Sequence, residues 1–244
     1  MLAGGSFLKN VDLTGAQIGG ELHLGSSREQ PARWSEDSTL ILRNTKADAL
    51  QDLSNSWPSA LDLNGLTYRA LGGIFADEGD PMIGRPVKWF EGWLGKQRYY
   101  APPPYQQLAT VLRSQGQPNA ADEVLYASKE RERAQATFLR HIWLTAYKCL
   151  IGYGYRVEWT FFWVAGLLIA GVLALRLSGE GRINGMPYGF VYSFDMLLPI
   201  IRLREKHYQI DLHGWGRYYF YFHRIMGYVL ASFLIVWISG LTTK

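Results

Sequence analysis

The chain has 244 residues, a formal charge of +4 and one cysteine, Cys149, which excludes an intrachain disulfide framework and a thiolate zinc cluster. Its positive residues gather beside apolar runs rather than in a basic stripe interleaved with aromatics, a pattern that suits anionic lipid and speaks against a nucleic-acid partner. A mean hydropathy of −0.08 leaves most of the chain water-facing, with space for soluble modules beside a membrane part.

The N-terminal stretch MLAGGSFLKNVDL lacks both the charged n-region and the apolar core of a signal peptide. It opens directly into a repeat, so Met1 need not be the native start. Residues 1–71 carry four L-x-L-type units: VDLTG (Val11–Gly15), LHLGS (Leu22–Ser26), LILRN (Leu40–Asn44) and LDLNG (Leu61–Gly65). Alternation is a strand signal, and Gly or Asn straight afterwards is a turn signal. The units start about 11, 18 and 21 residues apart, with SSREQPARWSEDS expected as an insertion between the second and third. Short strands repeated without intervening helices predict a β-solenoid, with a small sandwich or meander as the alternative. The segment resembles the right-handed parallel β-helices of bactofilin-like and pentapeptide-repeat proteins.

Residues 72–104 read as a Gly- and Pro-rich linker around a short helix, KWFEGWLGKQ. Its Trp89, Phe90, Trp93 and Leu94 form one face, expected to pack on the open end of the repeats rather than on a membrane surface. Residues 105–155 are expected to form a helical hairpin and a juxtamembrane helix. Tyr105, Leu108, Ala109 and Leu112 share a face, Gly116 is a stop, and Pro118 opens a second helix expected to run on through YASKERERAQATFLRHIWLTAYKCLIGYG. The hairpin is similar to a single tetratricopeptide-type pair. Within it Lys129–Arg133 is expected to be a solvated face of alternating charge. Phe138, Leu139, Ile142, Trp143 and Ala146 make an amphipathic stripe, suited either to the headgroups or to packing on the soluble domain.

Residues 156–244 form the predicted membrane domain. Trp159–Leu175 and Ile225–Leu241 are uncharged apolar runs of 17 residues each; as helices they reach about 26 Å, near the lower limit for crossing a bilayer. Aromatic clusters and Arg156, Arg176, Arg224 and Lys244 flank them, as expected at a membrane interface. Between the runs, Tyr188–Ile201 is apolar apart from Asp195 and too short to span, so a re-entrant half-helix is predicted over 188–201.

The order span, half-helix, polar loop, span resembles the pore domain of two-transmembrane potassium channels. HRIMGYVLASFLIVWISGL stands where the second, pore-lining helix would be. Tyr192, Ser193, Asp195, Leu197, Leu198, Pro199, Gly240 and Leu241 also resemble the C-terminal region of a group of actinobacterial membrane proteins, some of which carry the label membrane-associated oxidoreductase. In place of the potassium filter stands Ile200–Lys206, IIRLREK, whose Arg202, Arg204 and Lys206 would repel cations.

The oxidoreductase label finds no support in the residues. GAQIGG (Gly15–Gly20) and GEGRING (Gly179–Gly185) both miss the dinucleotide spacing, and no GxSxG elbow is present. His223 is the only histidine adjoining a span, one short of a haem pair. His207, Asp211 and His213 could hold a metal only if the loop folded them together. No catalytic, cofactor or metal residue is therefore assigned.

Asp195 stands out, because a carboxylate at membrane level must be paired or hydrated. Arg202 or Arg204 could pair with it across the turn at Pro199, making it either a gate or a cap that holds the loop. Asp195, Pro199, Arg202, Arg204 and Lys206 are the candidate pore or gate residues. Gly227 and Ala231 are a candidate small-residue helix contact.

The expected protein is thus a mixed β and α, two-pass bacterial inner-membrane protein with a β-solenoid, a helical hairpin and a re-entrant half-helix. Its role is expected to be non-enzymatic, as a channel-like or sensor/scaffold module; a membrane-bound enzyme is the alternative. Partners are the lipid bilayer and further copies of the chain, with no cofactor. Positive residues near the spans favour the loop as the cytoplasmic side, whereas the lack of an export signal puts both termini there, and the second is the orientation expected.

Overall fold

The computed structural model describes residues 8–25, 32–53, 55–72, 81–156, 158–186, 189–198 and 203–242. It divides into two compact units, Met1–His141 and Ile142–Lys244.

In the first unit six strands occur: β1 (Val11–Asp12), β2 (Glu21–Leu24), β3 (Thr39–Ile41), β4 (Ala49–Asp52), β5 (Ala60–Asp62) and β6 (Ala70–Leu71). They make two three-stranded sheets, ordered β1-β3-β5 and β2-β4-β6, and every pairing is parallel. Parallel neighbours cannot be joined by a tight hairpin; here the chain visits the other sheet between them. Leu40 lies beside Leu61, Leu50 beside Leu71, and Lys46 bridges Thr67, so the pattern recurs every 21 residues.

This explains the irregular spacing of the L-x-L units. VDLTG, LILRN and LDLNG supply β1, β3 and β5, whereas LHLGS supplies β2 of the other sheet. Strands β4 and β6 escaped the sequence reading, because ALQD and AL lack the paired leucines of the other units. Val11 pairs with Leu40, so the first repeat is longer. The expected insertion falls in it, with residues 26–31 outside those described.

Each repeat of the first sheet ends in the same turn. Asp12 and Asp62 accept the backbone N–H of Thr14 and Asn64 at 2.8 and 3.1 Å. The next residues in register, Gly15, Asn44 and Gly65, have φ of 72°, 55° and 75°, a left-handed conformation open to Gly and tolerated by Asn. At Gly65 a Cβ would also stand 2.2 Å from Asn44 Oδ1 of the preceding repeat, so a side chain there would have to displace Asn44 as well as adopt the strained φ. Leu22, Leu24, Leu40, Leu42, Leu50, Leu61, Leu63 and Leu71 point inward and are buried.

Unpaired strand edges invite association, and helices cover the edges of β5 and β6. Helix α1 (Val87–Gly95) ends where Lys96 C=O accepts Leu61 N–H at 3.2 Å. Its Trp93 meets Trp57 edge-on at 5.1 Å. Helix α2 (Pro102–Ser114) places Gln107 Nε2 on Tyr68 C=O at 2.6 Å, while Gln115, just past its end, accepts Leu71 N–H at 3.2 Å. Helix α3 (Pro118–Ala134) packs on α2 through Ala121 and Val124.

The Lys129–Arg133 stretch is not simply solvated. Arg131 donates to the carbonyl groups of Leu94, Gly95 and Gln97 and to Tyr105 Oη, closing the C-terminal end of α1, whose last carbonyls have no intrahelical donor. Glu132 is buried and accepts from Lys129 and Arg140. Nor is the second helix continuous. It breaks at Gln135–Thr137, where Gln135 Oε1 accepts Tyr100 N–H, and α4 (Phe138–Ile151) restarts after Thr137, a favourable N-cap residue type. A buried ion pair completes the unit: Arg85 contacts both oxygens of Asp52 at 2.9 Å, and its guanidinium lies 4.2 Å over the Trp89 ring.

The second unit is helical. The Gly152–Gly154 turn connects α4 to α5 (Glu158–Leu177), followed by α6 (Glu180–Ile183), α7 (Phe190–Leu197), a 3-10 turn at Glu205–Gln209 and α8 (Gly214–Thr242). Helices α5 and α8 are long and apolar enough to cross a membrane, over Glu158–Leu177 and Gly214–Val236. Helix α8 starts well before the apolar run, because Tyr218–Phe222 continues the same helix. The predicted half-helix forms as α7; positions 188 and 199–201 of the predicted segment lie outside the described residues.

Candidate functional site

The site is the place where α7 lodges between α5 and α8. Two glycines admit it. A Cβ at Gly171 on α5 would stand 2.1 Å from Ser193 Oγ, and a Cβ at Gly227 on α8 would stand 1.8 Å from Leu197 O. Elements approach this closely only where a side chain is missing. Ser193 Oγ donates to Leu168 C=O on α5 at 3.1 Å. His223 Nε2 on α8 donates to Ser193 C=O at 3.0 Å. Tyr219 lies one turn earlier, with its hydroxyl 3.3 Å from His223 Nδ1. Ser193 and His223 are fully buried, so these polar groups are satisfied by partners within the chain.

Asp195 stands in the last turn of α7 with its side chain completely buried. Its carboxylate accepts Leu203 N–H at 2.6 Å, Arg204 N–H at 3.1 Å and His207 Nδ1 at 2.7 Å. Tyr208 Oη donates to the Asp195 backbone carbonyl at 3.0 Å. Tyr192 covers the cluster, edge-on to His207 at 5.4 Å and to Phe220 of α8 at 5.1 Å. The loop after α7 is therefore folded back onto it by one carboxylate.

The other candidates are distributed differently. Arg204 reaches Asp195 through its backbone, and its side chain, like that of Lys206, is exposed. Pro199 and Arg202 lie outside the described residues. Gly227 is engaged within the chain by α7, and Ala231, one turn on, is half-buried. The histidine and aspartate residues of the polar loop do not converge: His207 serves Asp195, Asp211 pairs with Arg217 at 2.8 and 2.9 Å, and His213 N–H donates to Glu180 at 3.0 Å. Among the described residues no group of three or more His, Cys, Asp or Glu is placed to hold a metal.

Gly171 and Tyr208 are the site residues that sequence reasoning missed; His207 and Ser193 figure there in other roles. Tyr208 follows His207 directly and the aromatic run Tyr218–Phe222 precedes His223, but no spacing in the sequence links either histidine to Asp195 or Ser193. Chemically the arrangement is a set of fasteners: each polar group faces a named partner on a neighbouring element. The chain matches no family profile, no curated protein and no solved structure.

Proposed function

We propose that the chain is a non-enzymatic, two-span membrane module, shaped like a pore domain and carrying a β-solenoid head, that acts as an anchored scaffold. The observation that carries this reading is the capture of α7 between α5 and α8 at Gly171 and Gly227, with Asp195 folding the following loop back. A half-helix held this way is a way of keeping non-spanning backbone at membrane depth. The outward surfaces of both long helices support the membrane part. Phe161, Phe162, Ile169, Leu173 and Leu177 on α5 and Phe222, Ile225, Tyr228, Ile235 and Val236 on α8 are all at least 41% exposed. Only 33% and 22% of the two apolar stretches are buried within the chain, whereas a soluble core helix is mostly buried. The 21-residue stacking of parallel strands supports the solenoid.

A scaffold is favoured over an open channel by Asp195. A residue that serves permeating ions must face water, and both its oxygens are instead occupied by its own loop. Two spans offer little protein around α7, so partners are part of the proposal: a closed homo-oligomer, in line with the pore-domain resemblance a tetramer. Native mass spectrometry in mild detergent, with ion flux measured in liposomes, tests this. The expected result is a tetramer without flux. A monomer, or a stoichiometric bound redox cofactor, contradicts it.

A further inference from the structure

We infer that α4 is a headgroup-level helix whose outward apolar face docks on the surface of a lipid bilayer. The helix has two apolar sides. Leu144 and Ile151, seven positions apart, are turned inward and buried. On the opposite side Phe138, Leu139, Ile142 and Trp143 are 78%, 78%, 51% and 69% exposed. Their spacing places them in one stripe, which Ala146 and the exposed Cys149 continue. Four large apolar side chains side by side mark a surface that something covers.

The depth of α4 says what covers it. Trp163 Nε1 on α5 donates to the Cys149 carbonyl at 2.8 Å, tying the last turn of α4 to the opening turns of α5. Those turns carry Trp159, Phe161, Phe162 and Trp163, residue types that favour the boundary between headgroups and acyl chains. The inference thus rests on the reading of α5 as a span: if α5 enters a bilayer there, α4 lies at its surface. The sharp turn between them is built by Gly152, Tyr153 and Gly154, all with positive φ (51°, 59° and 85°), which lets the chain swing from one helix into the next. The charged side chains of α4 stand away from the stripe, Arg140 paired with Glu132 and Lys148 on the side of Leu144 and Ile151, which leaves the stripe itself apolar and aromatic, as suits the boundary between headgroups and acyl chains.

Cys149 allows the test in the full chain, since it is the only cysteine and is exposed. A fluorophore on Cys149 is measured in nanodiscs containing phosphatidylglycerol, with lipid spin labels placed near the headgroup or near the chain end. A parallel sample carries the fluorophore at Ile169→Cys in a Cys149→Ala background, since Ile169 is an exposed mid-span position. The expected result is several-fold stronger quenching of Cys149 by the shallow label and of Ile169→Cys by the deep one. If Ile169→Cys is quenched and Cys149 is not, the inference is overturned while the span stands; self-quenching between Cys149 fluorophores would show that a second copy covers the face instead. If neither position is quenched, the membrane reading itself falls.

Discussion

A carboxylate in the last turn of a helix meets the negative end of the helix dipole, and Asp195 occupies that position on α7. Two loop N–H groups and His207 compensate it, at 2.6, 3.1 and 2.7 Å. Asn at this position keeps one acceptor and turns an NH2 toward a donor. Hydrogen bonds to a charged group are each worth about 1.5–3 kcal/mol, so Asp195→Asn is expected to lower stability by at least that much and release the loop at 203–208. Asp211→Asn, which breaks only the exposed pair with Arg217, is expected to cost about 0–1 kcal/mol. Urea or thermal unfolding in micelles, with hydrogen exchange at 203–208, compares the two; equal effects would remove the special role of Asp195. The importance of Asp195 was legible in the sequence as a lone carboxylate in an apolar segment, but its partners were not. Arginine was expected, whereas His207 lies twelve residues on, with no periodicity linking them. The Asp52–Arg85 pair was likewise invisible, because 33 residues separate two ions that only the folded head brings together. Both side chains are at most 2% exposed. Removing one partner strands a buried charge, so Arg85→Ala is expected to destabilise the head by about 3–5 kcal/mol, read as a lower urea midpoint.

At the scale of elements, the fit of α7 against its neighbours depends on missing atoms. Leu197 O occupies the place where a Gly227 Cβ would stand, and backbone cannot swing aside as a side chain can. Gly227→Ala is therefore expected to cost about 1–3 kcal/mol by overpacking, whereas Gly166→Ala, with open space around it on the same bundle, is expected to be neutral or slightly stabilising. Melting temperatures in one detergent compare them. At the α3–α4 junction, burial raises the Glu132 pKa, but hydrogen bonds from Lys129 and Arg140 outweigh it and hold the carboxyl below its ordinary value. A lowered folded-state pKa contributes stability above the unfolded value, lost as pH falls through the folded one. The wild type is thus expected to lose head stability on acidification below the ordinary Glu range, and Glu132→Gln to show a shallower acid limb. The long helices and α7 were readable from apolar runs and their lengths. The break at Gln135 was not, since only a capping residue type, Thr137, marks it.

At the scale of the molecule, the mixed architecture and two long apolar helices were legible because leucine alternation and apolar length are strong signals. The two-sheet stacking was not, because strands that pair are 21 or more residues apart and alternate with those of the other sheet. The proposed account places α5 and α8 across a bilayer, so the head and the α6 region must lie on opposite sides. Asn119 is exposed on the first unit and Ile183 is 77% exposed on α6. In a Cys149→Ala background, Asn119→Cys and Ile183→Cys are treated separately with a membrane-impermeant thiol reagent on intact spheroplasts, then after lysis. The account predicts that Ile183→Cys reacts on intact spheroplasts and Asn119→Cys only after lysis; exchange of the two would reverse the orientation alone. Reaction of both positions from the same side would contradict it, because α5 would then not cross the membrane.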